Sequence, residues 1–399
     1  MKRTIIAAIF LIAFLPCMNA QKKEMDQART FIKSGKNIDK AEKMMSQLLN
    51  DSANRKNEKI WLVLFDAIRA QYEQGNERLY LHQKYDTLSL FNSVRKMFRT
   101  LETLDTLDAT PDKKGRVRLK YRKKHAALLM AHRNNLYNGG VFQMLKHQYA
   151  DAYDYFDTYI DCARQPLFAE ENIDSADHRQ PLAAYRALFC GYQLQDTAKT
   201  LKYHHLALRD TANRSYVLQY LAETYRQAGQ DKKYLRALQQ GFNADPEFPY
   251  FFPRLLEAYS ASHQPDSALV VANRLLEAND TSEIYLFAKS NVLLDIGRYA
   301  ECITICDTLI ARNDSLADAY LNAGLAYTNL AVEMDKVSKS RTKRTQIKDF
   351  YRKAKPYLER YRALAPDQKE KWAHALYNVY LNLNMGKQFA EVDRLLNKK

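Results

Sequence analysis

His204 and His205 are the one adjacent histidine pair in the chain, and Cys302 and Cys306 its one closely spaced cysteine pair. On a helix, neighbouring side chains point about 100° apart, so the two histidines do not converge on one metal ion. The cysteines stand one helical turn apart, with Cβ atoms ~6 Å from each other, too far for a relaxed disulfide. They read as small buried hydrophobes. Cys162 and Cys190 form a second pair that an oxidising compartment could bridge. Carboxylates are plentiful, but Glu223, Glu257 and Asp295 fall on helical faces with no second element converging on them, and a hydrolytic pair needs a cleft that raises one carboxyl pKa. No Gly-x-Ser-x-Gly, His-Glu-x-x-His, P-loop or dinucleotide-binding glycine pattern occurs. The residues therefore predict no catalytic centre, no metal and no cofactor.

Two basic stretches offer a different chemistry. KKGRVRLKYRKK, residues 113–124, carries eight positive charges and no acid, and KVSKSRTKRTQIK, residues 336–348, carries six and no acid. Lys113, Lys114, Arg116, Arg118 and Lys120 in the first, with Arg341, Lys343 and Arg344 in the second, are candidate contacts for an anionic envelope component: a phosphorylated glycolipid, lipid headgroups or an acidic protein. Solvated faces and loops are the commoner explanation of such runs. The interleaved Val117, Leu119 and Tyr121 also fit the buried side of a helix.

The N-terminus sets the expected compartment. Lys2 and Arg3 precede an apolar run from Ile5 to Leu15, and the polar Asn19 and small Ala20 follow. Residues 1–20 thus read as a secretory signal peptide cut after Ala20, too short to span a bilayer. Lipoprotein anchoring through Cys17 is disfavoured, because Leu15 is one place too close and Pro16 is not small. The expected location is the periplasm or cell envelope. The whole chain carries a formal charge of +15; a basic chain suits nucleic acid, but export removes that partner. No second long apolar run exists, so no transmembrane segment is expected.

The elements carrying these residues repeat. LADAYLNAGLAYTNLA, residues 316–331, has helical apolar spacing with Gly324 in its middle, where glycine costs roughly 1 kcal/mol relative to alanine. Steps of 34 residues back from Gly324 reach Ser290, Leu256, Ala222 and Leu188. Tyr327, Leu293, Tyr259 and Tyr225 keep the same interval, as do Cys302, Ala268 and Tyr234 on a second helical pattern. Short polar turns separate the two patterns of each unit. The pairs Asp51-Ser52, Asp210-Thr211, Asp280-Thr281 and Asp314-Ser315 mark unit boundaries and are expected to cap starting helices.

On these residues the chain resembles the tetratricopeptide repeat (TPR) family, which favours a large residue at position 4, leucine at 7, a small residue at 8 and tyrosine at 11, then alanine at 20, an aromatic at 24, alanine at 27 and proline at 32. Tyr320, Ala323, Gly324 and Tyr327 fit the first half, and Ala354, Leu358, Tyr361 and Pro366 the second half after a displacement of 18 residues. Gly140, Ala152 and Phe156 fit another unit, and Leu218, Leu221, Ala222, Tyr225 and Pro246 a third. Leu256 departs from the small position.

The resemblance implies an all-α fold: a right-handed α-solenoid of eight or nine TPR-like helical hairpins spanning residues 21–399 as a single domain. The best-registered repeats cover 180–366, a basic insertion covers 331–349, and 24–130 holds divergent N-terminal repeats. It further implies a non-catalytic scaffold that binds a protein or peptide through the concave face. The family's groove positions fall on Asn134, Tyr137, Tyr216, Gln219, Arg226, Tyr250, Glu257, Phe287, Asn291 and Thr328. Asn291 and Asn322 hold the asparagine positions of a carboxylate clamp, but Phe287, Glu370 and His374 stand where it needs cations, so no clamp is expected.

Overall fold

The computed structural model describes residues 21–337 and 341–397; the expected signal peptide, Cys17 and the centre of the second basic stretch lie outside them. Every regular element among the described residues is helical. The chain divides into two compact units, Met1–Thr224 and Tyr225–Lys399.

In the first unit, α1 (residues 21–34) is followed by α2 (Ile38–Leu48), α3 (Glu58–Tyr80), α4 (Thr87–Asp108), α5 (Arg122–Leu145) and α6 (Tyr149–Asp161). From α2 to α6 each helix packs on the next. Short 3-10 turns and α7 (Ile173–Ala176) lead to α8 (Gln180–Gln193), which packs on α6 and on the short α9 (Thr197–Lys202) and α10 (His204–Ala207). The 3.6-residue apolar spacing reappears as burial. Val94, Met97, Phe98, Leu101 and Leu104 of α4 are wholly inaccessible, as are Tyr155 and Phe156 of α6. α11 (Arg214–Gln227) carries the chain into the second unit.

The second unit continues with α12 (Asp231–Ala244), α13 (Phe251–Ala261), α14 (Pro265–Ala278), α15 (Glu283–Asp295), α16 (Tyr299–Arg312), α17 (Ala317–Val337), α18 (Arg341–Leu364), α19 (Lys369–Asn382) and α20 (Gly386–Asn397). Successive helices pack together, and α15, α17 and α19 also touch one another in order. The first helices of the last three hairpins therefore lie side by side.

Two glycines show what the sequence spacing achieves. A Cβ on Gly324 would lie 2.6 Å from Leu358 Cγ, and one on Gly140 would lie 2.7 Å from the Phe156 ring. In both hairpins the small residue of the first helix receives a large side chain of the second. The closer packing offsets glycine's helix penalty. In α8 the close approach falls on Gly191, three residues past the Leu188 expected from the repeat: a Cβ there would lie 2.5 Å from the backbone N of Thr200.

The described residues of the basic insertion are helical. α17 and α18 have 21 and 24 residues, whereas α15 and α16 have 13 and 14. The eighteen added residues equal five turns, ~27 Å of helix, shared between both arms of one hairpin.

Helix starts differ from expectation. Asn57, Asp86, Asp196 and Ser282 cap α3, α4, α9 and α15. The boundary aspartates do not. Asp51 Oδ1 accepts the N–H of Ala53, and Asn279 and Asn313 accept those of Thr281 and Ser315. These side chains close the preceding turn, a competing role for short polar residues.

All four described cysteines are free and buried. Cys162 and Cys190 form no bridge, and the sulfurs of Cys302 and Cys306 lie 4.0 Å apart. His204 Nδ1 meets the Leu201 carbonyl at 2.6 Å. Among the described residues no group of three or more His, Cys, Asp or Glu side chains could hold a metal ion, and no helix is long and apolar enough to cross a membrane.

Candidate partner-binding groove

α13 and α15 each present one face to a common groove of about 840 Å³ in the second unit. Phe252, Leu256 and His263 recur at helical spacing along and just beyond α13, and Ile284, Phe287, Asn291 and Asp295 do so along α15. Pro265, the first residue of α14, lies at one end. Ile284 is 67% exposed, a large apolar side chain offered to solvent at the groove. Phe252 is held by an edge-on contact with Tyr285, ring centroids 5.5 Å apart.

Asn291 is oriented from behind. Asn322 on α17, itself buried, donates to Asn291 Oδ1 at 2.6 Å and to Ser290 Oγ at 3.0 Å. The Ser290 hydroxyl in turn donates to the Phe287 carbonyl at 2.7 Å. The two asparagines of the absent clamp thus bond to each other, and Phe287 and Asn291 rest on a hydrogen-bonded base.

Glu257 and Asp295 both line the groove, so these carboxylates share a concave element after all. Burial raises the Asp295 carboxyl above its ordinary value. His263 is the nearest to a base among the lining residues, which include no lysine or arginine.

Of the expected groove residues, Phe287 and Asn291 are brought together with Glu257. The others are placed elsewhere. Tyr137 is buried between Phe156 and Tyr159, with the guanidinium groups of Arg179 and Arg186 about 5 Å from its ring. Asn134 is exposed and accepts a hydrogen bond from Arg179 at 3.2 Å. Tyr250 is buried beneath Arg254, whose guanidinium carbon lies 3.8 Å from the ring centroid. Thr328 is buried and donates to the Gly324 carbonyl at 2.8 Å. Tyr137, Tyr250 and Thr328 are buried rather than exposed as a docking surface requires: Arg179 and Arg186 stand over Tyr137, Arg254 of α13 over Tyr250, and Thr328 is bonded to its own helix. Tyr216 is 46% exposed on α11, Gln219 is half-buried, and Arg226 is exposed near that helix's end. Sequence reasoning missed Phe252, Ile284 and Leu256 as lining residues; the helical spacing from Ile284 to Asp295 was the available signal.

Most of the first basic stretch is not helix; only Arg122, Lys123 and Lys124 fall in α5. Residues 113–120 form an exposed connection between α4 and α5, with Val117 and Leu119 50% and 44% exposed rather than buried. Internal acids engage several of its cations. Arg116 pairs with Asp112 at 3.3 Å, Lys120 with Glu58 at 3.0 Å, and Arg122 forks onto Asp105 at 2.9 and 2.7 Å. Lys113, Lys114 and Arg118 are exposed. In the second stretch Lys343 is half-buried and Arg344 exposed on α18, while the Arg341 side chain lies outside the described residues.

The hairpins, the small-against-large pairing at their crossings and the 34-residue interval define an all-helical repeat fold consistent with a TPR protein. No protein-family model and no curated protein matches the sequence. Among solved structures, the C-terminal part of a TPR repeat-containing protein from Cytophaga hutchinsonii is 13% identical over 64% of this chain and 92% of that one, with TM-score 0.42. A TPR repeats protein from Bacteroides fragilis is 15% identical over 66% of this chain and 98% of that one, with TM-score 0.31. YrrB, described as a TPR protein with an unusual peptide-binding site, is 17% identical over 52% and 96%, with TM-score 0.38. Partial superpositions of this kind carry no functional argument.

Proposed function

We propose that this chain is an exported, non-catalytic scaffold that binds a protein or peptide partner through the α13–α15 groove, in the assembly or maintenance of cell-envelope machinery. The observation that carries the reading is the groove itself: an open, largely apolar cleft lined by α13 and α15, with Phe287 and Asn291 held from behind by Asn322 and Ser290. Peptide segments dock in such places through spaced apolar anchors and a few oriented hydrogen bonds. Export rests on Lys2, Arg3 and the apolar run to Leu15.

A photo-crosslinking residue at position 287, in cells expressing the chain at native level, is expected to trap a discrete partner. Ile284→Asp, which changes an exposed position, is expected to abolish the adduct without lowering stability. An adduct pattern indifferent to Ile284→Asp would remove the groove assignment. Fractionation tests the compartment: full-length chain retained in the cytoplasm overturns export.

A second reading, contact with an anionic surface through residues 113–120, is favoured by Lys113, Lys114 and Arg118 standing exposed beside exposed Val117 and Leu119. It requires adsorption to anionic vesicles that weakens steeply with salt; adsorption equal on neutral vesicles overturns it.

A further inference from the structure

The groove has the opposite electrostatic character from the chain that contains it. The protein has 61 lysines and arginines against 46 acids. None of those cations lines the groove, whereas Glu257 and Asp295 do, one on each of the two helices that form it. We propose that the partner segment is cationic and apolar: it seats one or more large apolar side chains against Ile284, Phe287 and Leu256, and places a lysine or arginine beside Asp295 and Glu257. This deepens the groove reading above and rests on it.

The apolar part follows from exposure. Ile284 is 67% exposed beside Phe287 and Phe252, so an apolar ligand removes from water surface that the free chain leaves wet, at about 25 cal/mol per Å². The cation follows from Asp295. It and Glu257 are the two charged groups on a lining that holds no lysine or arginine to balance them, and partial burial adds to the penalty on the Asp295 carboxylate. A guanidinium or ammonium group supplied by the ligand recovers the loss, whereas an acidic ligand adds like-charge repulsion in the same partly desolvated cleft. Asn291 adds direction. Its Oδ1 is held by Asn322, so its NH2 end is the one left to meet a backbone carbonyl of the ligand. The groove thus selects against acidic tails, in agreement with Phe287 standing on its lining where a carboxylate clamp would need a cation.

Two labelled twelve-residue peptides of equal leucine content test this, one with lysine and the other with glutamate at the polar positions. Fluorescence anisotropy with the full mature chain is expected to show the lysine peptide binding at least tenfold tighter. The double variant Glu257→Gln, Asp295→Asn, at two exposed positions, is expected to reduce that preference to less than threefold while keeping apolar binding. Ile284→Asp is expected to abolish binding of the lysine peptide. Equal binding of the two peptides, both lost in Ile284→Asp, overturns the charge assignment and leaves the groove reading intact. Binding of the lysine peptide that survives Ile284→Asp places it on another acidic surface and overturns the inference. Absence of binding together with no crosslink at position 287 removes both readings. Self-association of the chain that Ile284→Asp dissolves assigns the groove to a second copy and overturns a separate partner.

Discussion

Gly324 and Leu358 meet across the α17–α18 crossing in the same relation as Gly140 and Phe156 across α5–α6, although 34 residues separate the first pair and 16 the second. The two arms gain eight and ten residues, ~12 and ~15 Å, so they lengthen by similar amounts beyond the crossing and the facing residues stay the same. The basic insertion therefore lengthens the hairpin and leaves its crossing unchanged.

The crossing has little tolerance. A methyl group at position 324 gains roughly 1 kcal/mol of helix propensity but collides with Leu358, which is fully buried. Gly324→Ala is expected to destabilise the chain by about 1–2 kcal/mol in urea denaturation, and Leu358→Ala in the same chain to relieve part of that loss. Gly386, with nothing within 4 Å of its Cβ position, provides the contrast: Gly386→Ala is expected to be neutral or stabilising by up to ~1 kcal/mol.

Asn322 is placed to affect both stability and binding. Asn322→Ala leaves Ser290 Oγ and Asn291 Oδ1 without their shared donor in a buried setting, at an expected ~1–3 kcal/mol. Peptide affinity should fall in the same variant because Asn291 is no longer oriented. Thermal melts and anisotropy on one preparation check the two effects together.

Arg133 is a buried cation of the first unit. Its guanidinium donates to Asp177 at 2.6 Å and to the Tyr159 carbonyl at 2.8 Å, and lies 3.8 Å from the Tyr159 ring centroid. Arg133→Ala leaves the Asp177 carboxylate without its cation and is expected to cost about 3–5 kcal/mol. Guanidinium denaturation followed by circular dichroism measures it.

Glu102 on α4 predicts a pH dependence. Burial first, then the Asp161 carboxylate, raise its carboxyl to about 7, against the opposing pull of Arg99. The folded chain thus holds this proton more tightly than the unfolded chain, whose glutamate titrates near 4.5. The associated stability is full below pH ~4.5 and is lost as pH rises through ~7. Glu102→Gln is expected to raise stability at pH 8 by up to ~3 kcal/mol and to change it little at pH 4.5. An equal gain at both pH values would contradict the assignment.

Much of the fold was legible because its signals are local. Val94, Phe98, Trp372 and Leu376 are buried as their helical spacing requires, and the position of Gly324 announced a helix crossing. The close approach at Gly191 was missed because the repeat there is interrupted, with α9 and α10 replacing one longer helix. The loop at 113–120 was open to a helical reading because alternating apolar and basic residues fit more than one conformation.

Helix formation, hairpin pairing and the small-against-large crossings depend on residues within about one repeat of each other, so the amino-acid order determined them alone. Which aromatic side chains remain available to a partner depends on how the following helix covers them. Tyr137, Tyr250 and Phe287 are all aromatic residues at expected groove positions, yet two are buried under arginines while the third lines an open groove. Tertiary packing decided that difference, because burial is a property of the surfaces that meet and not of either helix by itself.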